Sequence, residues 1–279
     1  MKIINTIEEI SQITDRLKQE GKTIGFVPTM GALHKGHISL ISRSKEENDV
    51  TICSIFVNPI QFNNKEDLEK YPIRTDEDIL ILEESNCDIL FIPSQEEVYF
   101  EPATERFSFG KLEEVLEGKQ RPGHFNGVAT VVSRLFKWIK PNKAYFGEKD
   151  YQQVAIIKDM VKQLDMPIEI IPCPIIREED GLAISSRNLL LSSDARKLAP
   201  KIHSILIKSA YQKDNLTFSQ IKSFVSSEFK LIKEMDLEYF EIVDDETLQP
   251  ITKKQENGVV GFIAVWLDGV RLIDIQRYY

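Results

Sequence analysis

Residues 23–37 are Thr-Ile-Gly-Phe-Val-Pro-Thr-Met-Gly-Ala-Leu-His-Lys-Gly-His, and this stretch decides the fold class. Its first part, Thr23–Pro28, is an apolar run closed by a proline, which predicts a β-strand. A glycine-bearing turn follows at Gly31–Gly36, and His37–Asn48 then carries apolar residues at helical spacing. The stretch therefore predicts a strand, a turn and a helix in immediate succession.

The same alternation continues to about residue 176. Further strands are predicted at Thr51–Val57, Asp88–Pro93, Lys143–Phe146 and Ile168–Ile171, and further helices at Asp76–Glu84, Val128–Lys140 and Tyr151–Leu164. Strands that alternate with helices at this spacing are typical of crossover units on a parallel sheet. We therefore expect an α/β fold with a Rossmann-like, doubly wound parallel sheet, whose ligands bind beyond the carboxyl ends of the strands.

The pattern changes after residue 176. Helices are predicted at Ser193–Gln212 and Thr217–Lys233, and strands at Leu237–Val243, Val259–Leu267 and Val270–Ile275, the last two joined by the hairpin turn Asp268-Gly269. Consecutive helices followed by antiparallel strands indicate a smaller α+β domain. We expect the boundary near Arg177–Gly181, with a Rossmann-like ligand-binding domain at 1–176 and a C-terminal lid domain at 177–279.

The composition excludes several classes of protein. The chain has 279 residues, 42% of them hydrophobic, and a formal charge of -9, which is typical of a globular protein and argues against nucleic-acid binding. No apolar run is long enough for a membrane span, and the first residues do not resemble a signal peptide. The cysteines Cys53, Cys87 and Cys173 show no metal-ligand spacing and no disulfide framework, and Cys53 is expected to be a buried thiol. We expect a cytoplasmic protein.

Two histidines lie in the loop that opens the first predicted helix. His34 and His37 are three positions apart, where both can face a ligand at the helix N-terminus. Backbone amides at such an N-terminus, together with the helix dipole, favour phosphate. A metal pair and a pair of structural turn histidines are the alternatives, although no carboxylate or cysteine accompanies the two rings at ligand spacing.

Further motifs follow in a fixed order. They are Phe56-Val57-Asn58-Pro59-Ile60-Gln61-Phe62, Tyr71-Pro72, Arg121-Pro122-Gly123-His124-Phe125, Phe146-Gly147-Glu148-Lys149-Asp150-Tyr151-Gln152-Gln153, Asp180-Gly181-Leu182-Ala183-Ile184-Ser185-Ser186-Arg187-Asn188 and Arg271-Leu272-Ile273-Asp274. Together with Pro28–His37, they resemble the motifs of the pantothenate synthetase (pantoate–β-alanine ligase) family. This family belongs to the nucleotidyltransferase superfamily with the His-x-Gly-His signature. The resemblance covers residues from about 20 to 275.

The resemblance implies a ligase that forms pantoyl adenylate and pyrophosphate from ATP and pantoate, after which β-alanine displaces AMP. The catalytic candidates it implies are His37, His34, Lys149, Ser185, Ser186 and Arg187. The ATP-binding candidates are Met30, Gly31, Ala32, Leu33, His34, Lys35, Gly36, His37, Gly147, Glu148, Lys149, Asp150, Ile176, Ile184, Ser185, Ser186 and Arg187. An ammonium, two hydroxyls and a guanidinium suit the negative charge of a triphosphate.

Three neutral amides are the pantoate-binding candidates: Asn58, Gln61 and Gln153. Amides bind hydroxyls and a carboxylate without burying a compensating charge. In the family the equivalents of Gln61 and Gln153 hold pantoate, and that of Gln61 also meets β-alanine. Arg121 and His124 fall in a predicted flap, Gly118–Gly127, without an assigned role.

Magnesium is expected with ATP, because ATP enters such sites as its magnesium complex. The sequence does not identify its protein ligands; Glu77 and Asp78 are candidates, with a solvated helix face as the alternative. A homodimer is implied by the family. Two positions depart from the family pattern: Ile184 stands where methionine or lysine is usual, and Ile73 displaces Arg74 by one place, so Arg74 has no assigned role.

Two other functions are compatible with parts of this pattern. The first is another nucleotidyltransferase of the same superfamily, which would leave a nucleotide on a different small acid or alcohol and would not depend on an amine. The second is a nucleotide-binding protein without catalytic activity. The presence of His34, His37, Lys149 and Arg187 together argues against the second.

Overall fold

The structure is a computed structural model of the chain, and it describes residues 1–251, 255 and 258–278. The chain divides into two compact units, which are described separately. Unit 1 comprises Met1–Phe109, Arg121–Glu148 and Gln153–Pro174, and unit 2 comprises Gly110–Gln120, Lys149–Gln152 and Ile175–Tyr279.

The helices alternate with strands through most of unit 1, whereas three consecutive helices precede the strands of unit 2. They are α1 (Ile7–Gln19), α2 (Lys35–Glu47), α3 (Lys65–Glu69), α4 (Thr75–Glu84), α5 (Gln95–Val98), α6 (Leu116–Gln120), α7 (His124–Ile139), α8 (Tyr151–Gln163), α9 (Ser193–Leu198), α10 (Lys201–Tyr211) and α11 (Phe218–Lys230). Short 3-10 helices lie at Pro59–Gln61, Gly110–Leu112, Glu148–Asp150 and Ser186–Leu190.

Unit 1 is built on a parallel sheet. Its strands are β1 (Lys2–Ile4), β2 (Ile24–Thr29), β3 (Val50–Ile55), β4 (Ile89–Phe91), β5 (Lys143–Gly147) and β6 (Glu169–Cys173). They lie in the order β1-β4-β3-β2-β5-β6, and every neighbouring pair is parallel. The central strands are almost wholly buried, as expected for a sheet covered by helices. The predicted doubly wound sheet is confirmed.

The first strand and the first helix were not predicted. Strand β1 is a three-residue edge strand in which only Ile4 is buried, too short to give a periodic signal. Helix α1 does carry local signals: the Thr6 hydroxyl accepts a hydrogen bond from the backbone N–H of Glu9, and Ile10 and Ile13 are buried. These signals were available in the sequence and were overlooked.

Unit 2 contains a three-stranded antiparallel sheet, ordered β7 (Met235–Asp244), β8 (Val259–Leu267) and β9 (Val270–Arg277). Strands β8 and β9 are joined by Asp268 and Gly269, which both have positive φ (55° and 72°), as a type I′ turn requires. Buried residues of α10, α11 and the sheet form one hydrophobic core. The predicted smaller α+β arrangement is confirmed.

The predicted single helix Ser193–Gln212 is wrong. The structure divides it into α9 and α10, with Pro200 between them. Proline has no amide hydrogen to donate to the preceding turn, and its ring clashes with the carbonyl four residues earlier, so the hydrogen-bond ladder is interrupted there.

The three cysteines are free and buried, which confirms the prediction for Cys53. Burial raises the pKa of the Cys87 and Cys173 thiols to about 11, so both are protonated at neutral pH. Among the described residues, no helix combines the length and the apolar character needed to cross a membrane.

The pKa of Glu47 predicts how the stability of unit 1 depends on pH. Its carboxylate accepts hydrogen bonds from Lys143 Nζ (3.0 Å), from Arg43 Nε and from the Tyr145 hydroxyl (3.0 Å), and chiefly the Lys143 and Arg43 bonds lower its pKa from 4.5 to about 2. A carboxylate with a depressed pKa stabilises the fold above its unfolded pKa, and this stability is lost as the pH falls through the folded value. We expect Glu47→Gln to lower the free energy of unfolding at pH 7.

The measurement is urea unfolding of wild type and variant at several pH values. The difference between the two proteins should shrink as the pH falls from about 4.5 towards about 2. Glu84→Gln, at an exposed position on α4, serves as the control and should change stability by no more than about 0.5 kcal/mol. A Glu47→Gln difference that stays constant across this pH range would contradict the assignment.

Candidate active site

The strand order of the parallel sheet reverses at β2, which has β3 on one side and β5 on the other. Sheets of this kind bind ligands beyond the carboxyl ends of the strands that flank the reversal. Strand β2 ends at Thr29, directly before the loop that contains both predicted histidines, and β5 ends at Gly147. The predicted phosphate-binding loop therefore leaves the sheet at the expected edge.

Asp78 holds that loop in place. Its side chain is 1% exposed, and its two carboxylate oxygens accept hydrogen bonds from the backbone N–H groups of Ala32 (2.9 Å) and Leu33 (2.7 Å). Gly31 and Ala32 both have positive φ (80° and 48°), and a Cβ at position 31 would lie 2.9 Å from the Asp78 carboxylate. The amides of Ala32 and Leu33, two of the predicted ATP-binding residues, thus have a protein acceptor, and only glycine fits at position 31.

We expect Asp78→Asn to weaken both the fold and the reaction. The amide group of asparagine offers one acceptor where the carboxylate offers two, so one of the two loop amides loses its partner. A buried unsatisfied donor costs about 1–3 kcal/mol, and a displaced loop should slow the adenylation that the resemblance implies about tenfold or more. Chemical unfolding and the initial rate of adenylation measure the two effects.

Asp76→Asn is the matched control, because Asp76 lies exposed in the same first turn of α4. It should leave both stability and rate close to wild type. If Asp78→Asn behaved like Asp76→Asn, Asp78 would have no role in holding the loop.

The two carboxylates considered as magnesium ligands have other partners. Asp78 binds the loop amides, and Glu77 Oε2 accepts a hydrogen bond from Arg74 Nη1 (2.9 Å) at the surface. Within the described part of the chain, no group of three or more His, Cys, Asp or Glu side chains is arranged to hold a metal ion. Arg74, which Ile73 shifts by one place from its position in the family pattern, thus pairs with Glu77.

His34 and His37 form a reciprocal capping box at the start of α2. His34 Nδ1 accepts from the backbone N–H of Gly36 (3.1 Å), and His37 Nδ1 accepts from the backbone N–H of His34 (3.3 Å). The rings stack, with centroids 4.0 Å apart. A nitrogen that accepts a hydrogen bond carries no proton, so these bonds assign the proton of each neutral ring to Nε2. Each ring consequently presents an Nε2–H donor.

The glycine between the histidines is required by this packing. A Cβ at Gly36 would lie 2.9 Å from the His34 ring. Both histidines were predicted to face a ligand, and their capping role was not predicted, although the spacing of three residues matches that of a capping box. The structural and the ligand-binding interpretations of these histidines are compatible, because the capping bonds use Nδ1 and not Nε2.

Two of the amides predicted to bind pantoate lie together at the 3-10 helix after β3. Asn58 is 1% exposed and Gln61 is 8% exposed. Asn58 Nδ2 donates to Gln61 Oε1 (2.9 Å) and to the Gly127 carbonyl (3.1 Å), and Gln61 Nε2 lies 3.1 Å from Met30 Sδ. The third amide, Gln153, is half-buried at the start of α8. The pair Asn58–Gln61 and the predicted ATP-binding residue Met30 are therefore brought together.

The predicted flap Gly118–Gly127 is not an extended loop. Its residues belong to the end of α6, a short turn and the first turn of α7, which begins after Gly123 with φ 79°. Gly127 packs closely against the 3-10 helix, since a Cβ there would lie 2.7 Å from the Ile60 carbonyl oxygen. The sequence predicted a helix only from Val128, so the start of α7 at His124 was not predicted.

Arg121 and His124, which had no predicted role, lie beside the backbone of Gln61. The buried His124 ring contacts the Gln61 carbonyl oxygen through Nδ1 (2.8 Å) and Arg121 Nη1 through Nε2 (3.1 Å). A tautomer with the proton on Nδ1 satisfies both contacts, since the guanidinium only donates and the carbonyl only accepts. His124 thereby supports the backbone of Gln61.

Unit 2 brings together a second set of predicted residues. Lys149, Ser185 and Arg187 line one pocket, together with Asn188, Arg271, Asp274 and several apolar residues. The Ser185 side chain accepts from the backbone N–H of Arg187 (3.3 Å), so this serine also caps the 3-10 helix Ser186–Leu190. The pocket contains an ammonium, a hydroxyl and the Arg187 guanidinium, which suit an anion. The Arg271 guanidinium already pairs with Glu117 and Glu238, and the Asp274 carboxylate pairs with Arg177.

The remaining predicted residues of unit 2 lie near this set. Ser186 and Ile184 are buried, and the backbone N–H of Ile184 donates to the Ile176 carbonyl (3.0 Å). Asp150 accepts a hydrogen bond from Lys149 Nζ (3.2 Å).

Arg177 and Asp274 support the Ser185–Arg187 segment and were not predicted to do so. Arg177 donates both terminal nitrogens to the Asp274 carboxylate (2.7 and 2.9 Å) and one of them to the Gly181 carbonyl (3.2 Å). The backbones of Arg177 and Ala183 also form an isolated antiparallel β-bridge. Asp274 belonged to a quoted motif, but its partner is 97 residues away in sequence, so no local pattern could identify the pair.

The chain was compared with known proteins. A family model described as pantoate-beta-alanine ligase matches residues 2–277. Pantothenate synthetase from Porphyromonas gingivalis W83 is 50% identical over 279 residues, which cover 100% of this chain and 99% of that protein. A crystal structure of pantothenate synthetase from Thermus thermophilus is 40% identical with a TM-score of 0.94 and 100% coverage of both chains.

A further solved structure carries small molecules. It is the pantoate-beta-alanine ligase from Francisella tularensis, complexed with Beta-gamma ATP and β-alanine; it is 41% identical, has a TM-score of 0.84, and the match covers 100% of this chain and 98% of that one. The family model and these relatives match this chain over essentially its whole length. The chain therefore belongs to the pantoate–β-alanine ligase family.

Proposed function

We propose that this chain makes pantothenate in two steps at the expense of ATP. The ligation of pantoate to β-alanine follows from family membership. In the first step a pantoate carboxylate oxygen attacks the α-phosphorus of ATP, and pyrophosphate leaves. In the second step the amine of β-alanine attacks the acyl carbon of pantoyl adenylate; AMP leaves, the amine loses a proton, and the amide bond forms.

The observation that supports the proposal most directly is the stacked histidine pair at the edge where the strand order reverses. Nδ1 of each ring accepts a backbone hydrogen bond, so the neutral ring carries its proton on Nε2 as a donor. Attack on the α-phosphorus builds negative charge on the phosphate oxygens, and preorganised donors directed at such charge are usually the largest catalytic contribution. His37 and His34 supply these donors. Their rings are fixed by the capping box, so little reorganisation is needed during the reaction.

Lys149, Ser185, Ser186 and Arg187 bind phosphate oxygens of ATP and of the departing pyrophosphate. The convergence of Lys149, Ser185 and Arg187 on one pocket of unit 2 supports this role. Met30, Gly147 and Asp150, with the neighbouring residues named above, bind the rest of the nucleotide. The Francisella tularensis relative with Beta-gamma ATP and β-alanine supports ATP as the nucleotide.

Gln61 and Gln153 bind pantoate, and Gln61 also meets β-alanine. The contact between Gln61 Nε2 and Met30 Sδ supports this assignment, because the amide proposed to bind pantoate lies beside a residue proposed to bind the nucleotide. A neutral amide orients the pantoate carboxylate without an ion pair that would reduce its nucleophilicity.

Magnesium enters with ATP and neutralises the triphosphate, and phosphate oxygens and water supply most of its ligands. We also propose that the protein is a cytoplasmic homodimer, as the family resemblance implies. Light scattering on the purified protein tests the dimer.

The test of the function is an assay of AMP production in which pantoate, β-alanine and ATP are omitted in turn. The proposal expects AMP release only when all three are present. AMP release that is independent of β-alanine would favour another nucleotidyltransferase, and ATP binding without any pyrophosphate release would favour a binding protein without activity.

A further inference from the structure

A half-buried tyrosine adjoins the amides of unit 1 that are proposed to bind pantoate. The Tyr99 hydroxyl, at the end of α5, donates a hydrogen bond to Asn58 Oδ1 (2.5 Å). Burial raises the pKa of Tyr99 well above its ordinary value, so the hydroxyl keeps its proton and acts as a donor. Tyr99 did not belong to any of the motifs quoted from the sequence.

Arg134 fixes the position of Tyr99. Its guanidinium lies 5.3 Å from the centroid of the Tyr99 ring and donates to the carbonyl oxygens of Val98 and Glu101 (both 2.8 Å). The same guanidinium pairs with the Glu105 carboxylate (2.9 and 3.0 Å). The Arg134 side chain is 8% exposed, so these are buried, charge-assisted contacts. Arg134 therefore ties the chain on both sides of Tyr99 to α7.

The hydrogen bonds of Asn58 have a definite direction. Both N–H groups of its amide are used, one by Gln61 Oε1 (2.9 Å) and one by the Gly127 carbonyl (3.1 Å), and its oxygen accepts from Tyr99. Because Gln61 Oε1 is occupied by Asn58, the Nε2 end of the Gln61 amide is the end that faces Met30. The orientation of the Gln61 amide thus depends on that of Asn58, and the orientation of Asn58 depends on Tyr99.

We propose that Tyr99 is a positioning residue that acts through Asn58 on Gln61, so that Gln61 presents N–H donors to a pantoate oxygen. Asn58 accordingly acts through Gln61 and does not bind pantoate itself. A carboxylate is an acceptor only, so it requires the Nε2 end of the amide, and a flipped Gln61 would oppose it with an oxygen. This inference rests on the proposed function in one respect, namely that Gln61 binds pantoate.

Tyr99→Phe tests the chain of hydrogen bonds with little change of volume. The readout is the pantoate-dependent exchange of labelled pyrophosphate into ATP, from which KM for pantoate and KM for ATP are obtained separately. We expect KM for pantoate to rise about tenfold, which corresponds to the net free energy of roughly one hydrogen bond. KM for ATP should stay within twofold. A merely structural role would not separate the two constants.

Tyr145→Phe is the matched control. Tyr145 is a buried tyrosine whose hydroxyl is hydrogen-bonded to Glu47 and Asn48 and not to the Asn58–Gln61 pair. It should leave both KM values near wild type even if it lowers stability.

Asn58→Asp is the second variant, in case Tyr99→Phe folds poorly. A carboxylate at this position cannot donate to Gln61 Oε1, so Gln61 should turn its oxygen towards pantoate, and KM for pantoate should rise about a hundredfold. Adding Tyr99→Phe to Asn58→Asp should then have little further effect, because both act on the same orientation.

Three results would overturn the inference: an unchanged KM for pantoate in Tyr99→Phe, an equal rise of both KM values, or additive effects in the double variant. These are distinct from failure of the proposed function, which would appear as the absence of pantoate-dependent exchange in the wild type.

Discussion

His37→Ala is expected to slow adenylate formation by about two to three orders of magnitude, the usual cost of removing one preorganised donor to a developing negative charge. The dissociation constant of ATP should change much less, because the charge that His37 stabilises grows during the reaction and is smaller in bound ATP. Single-turnover formation of pantoyl adenylate measures the rate, and calorimetric titration measures ATP binding.

The two nitrogens of His37 have separate roles, and two further variants distinguish them. His37→Asn keeps an acceptor for the backbone N–H of His34 but has no group at the Nε2 position, whereas His37→Gln places an amide donor near that position. We expect His37→Asn to be as slow as His37→Ala with nearly normal stability, and His37→Gln to recover part of the rate.

If His37→Asn were the variant that recovered activity, the capping bond would be the important feature. A His37→Ala rate within threefold of wild type would remove the residue from the mechanism altogether.

Lys149→Ala is expected to have the second large effect, again about two to three orders of magnitude in the rate of adenylation. Lys149 shares a pocket with Ser185 and Arg187, and its side chain is only 18% exposed, so its ammonium is partly desolvated. A compact charge in such a place stabilises pyrophosphate as it leaves more strongly than a solvated one would. The same single-turnover assay gives the rate.

Lys158→Ala is the control, since Lys158 is an exposed lysine on α8. It should match the wild type in rate and in ATP affinity. Equal rates for Lys149→Ala and Lys158→Ala would show that Lys149 does not take part in the first step.

The sheet and the hairpin could be predicted from the sequence because their signals are local. An apolar run with a glycine turn and a following helix specifies β2 and α2, and Asp268-Gly269 specifies the turn between β8 and β9. The break at Pro200 was also a local signal, and it was missed because the flanking residues share one helical periodicity.

The residues that position the site could not be predicted in this way. Asp78 lies 45 and 46 residues from the amides that it binds, and Tyr99 lies 41 residues from Asn58. Such contacts exist only after the sheet has brought distant segments together, so no spacing in the sequence indicates them. The side chains with expected chemical roles were recognisable by type, whereas those that orient them were recognisable only by geometry.

The proposed mechanism requires that an adenylate forms before the amine takes part. The exchange of labelled pyrophosphate into ATP, with pantoate present and β-alanine absent, tests this order of steps. We expect rapid exchange that requires pantoate. In His37→Ala the exchange should be slower by about two to three orders of magnitude. Exchange that requires β-alanine, or that proceeds equally well without pantoate, would contradict the proposed mechanism.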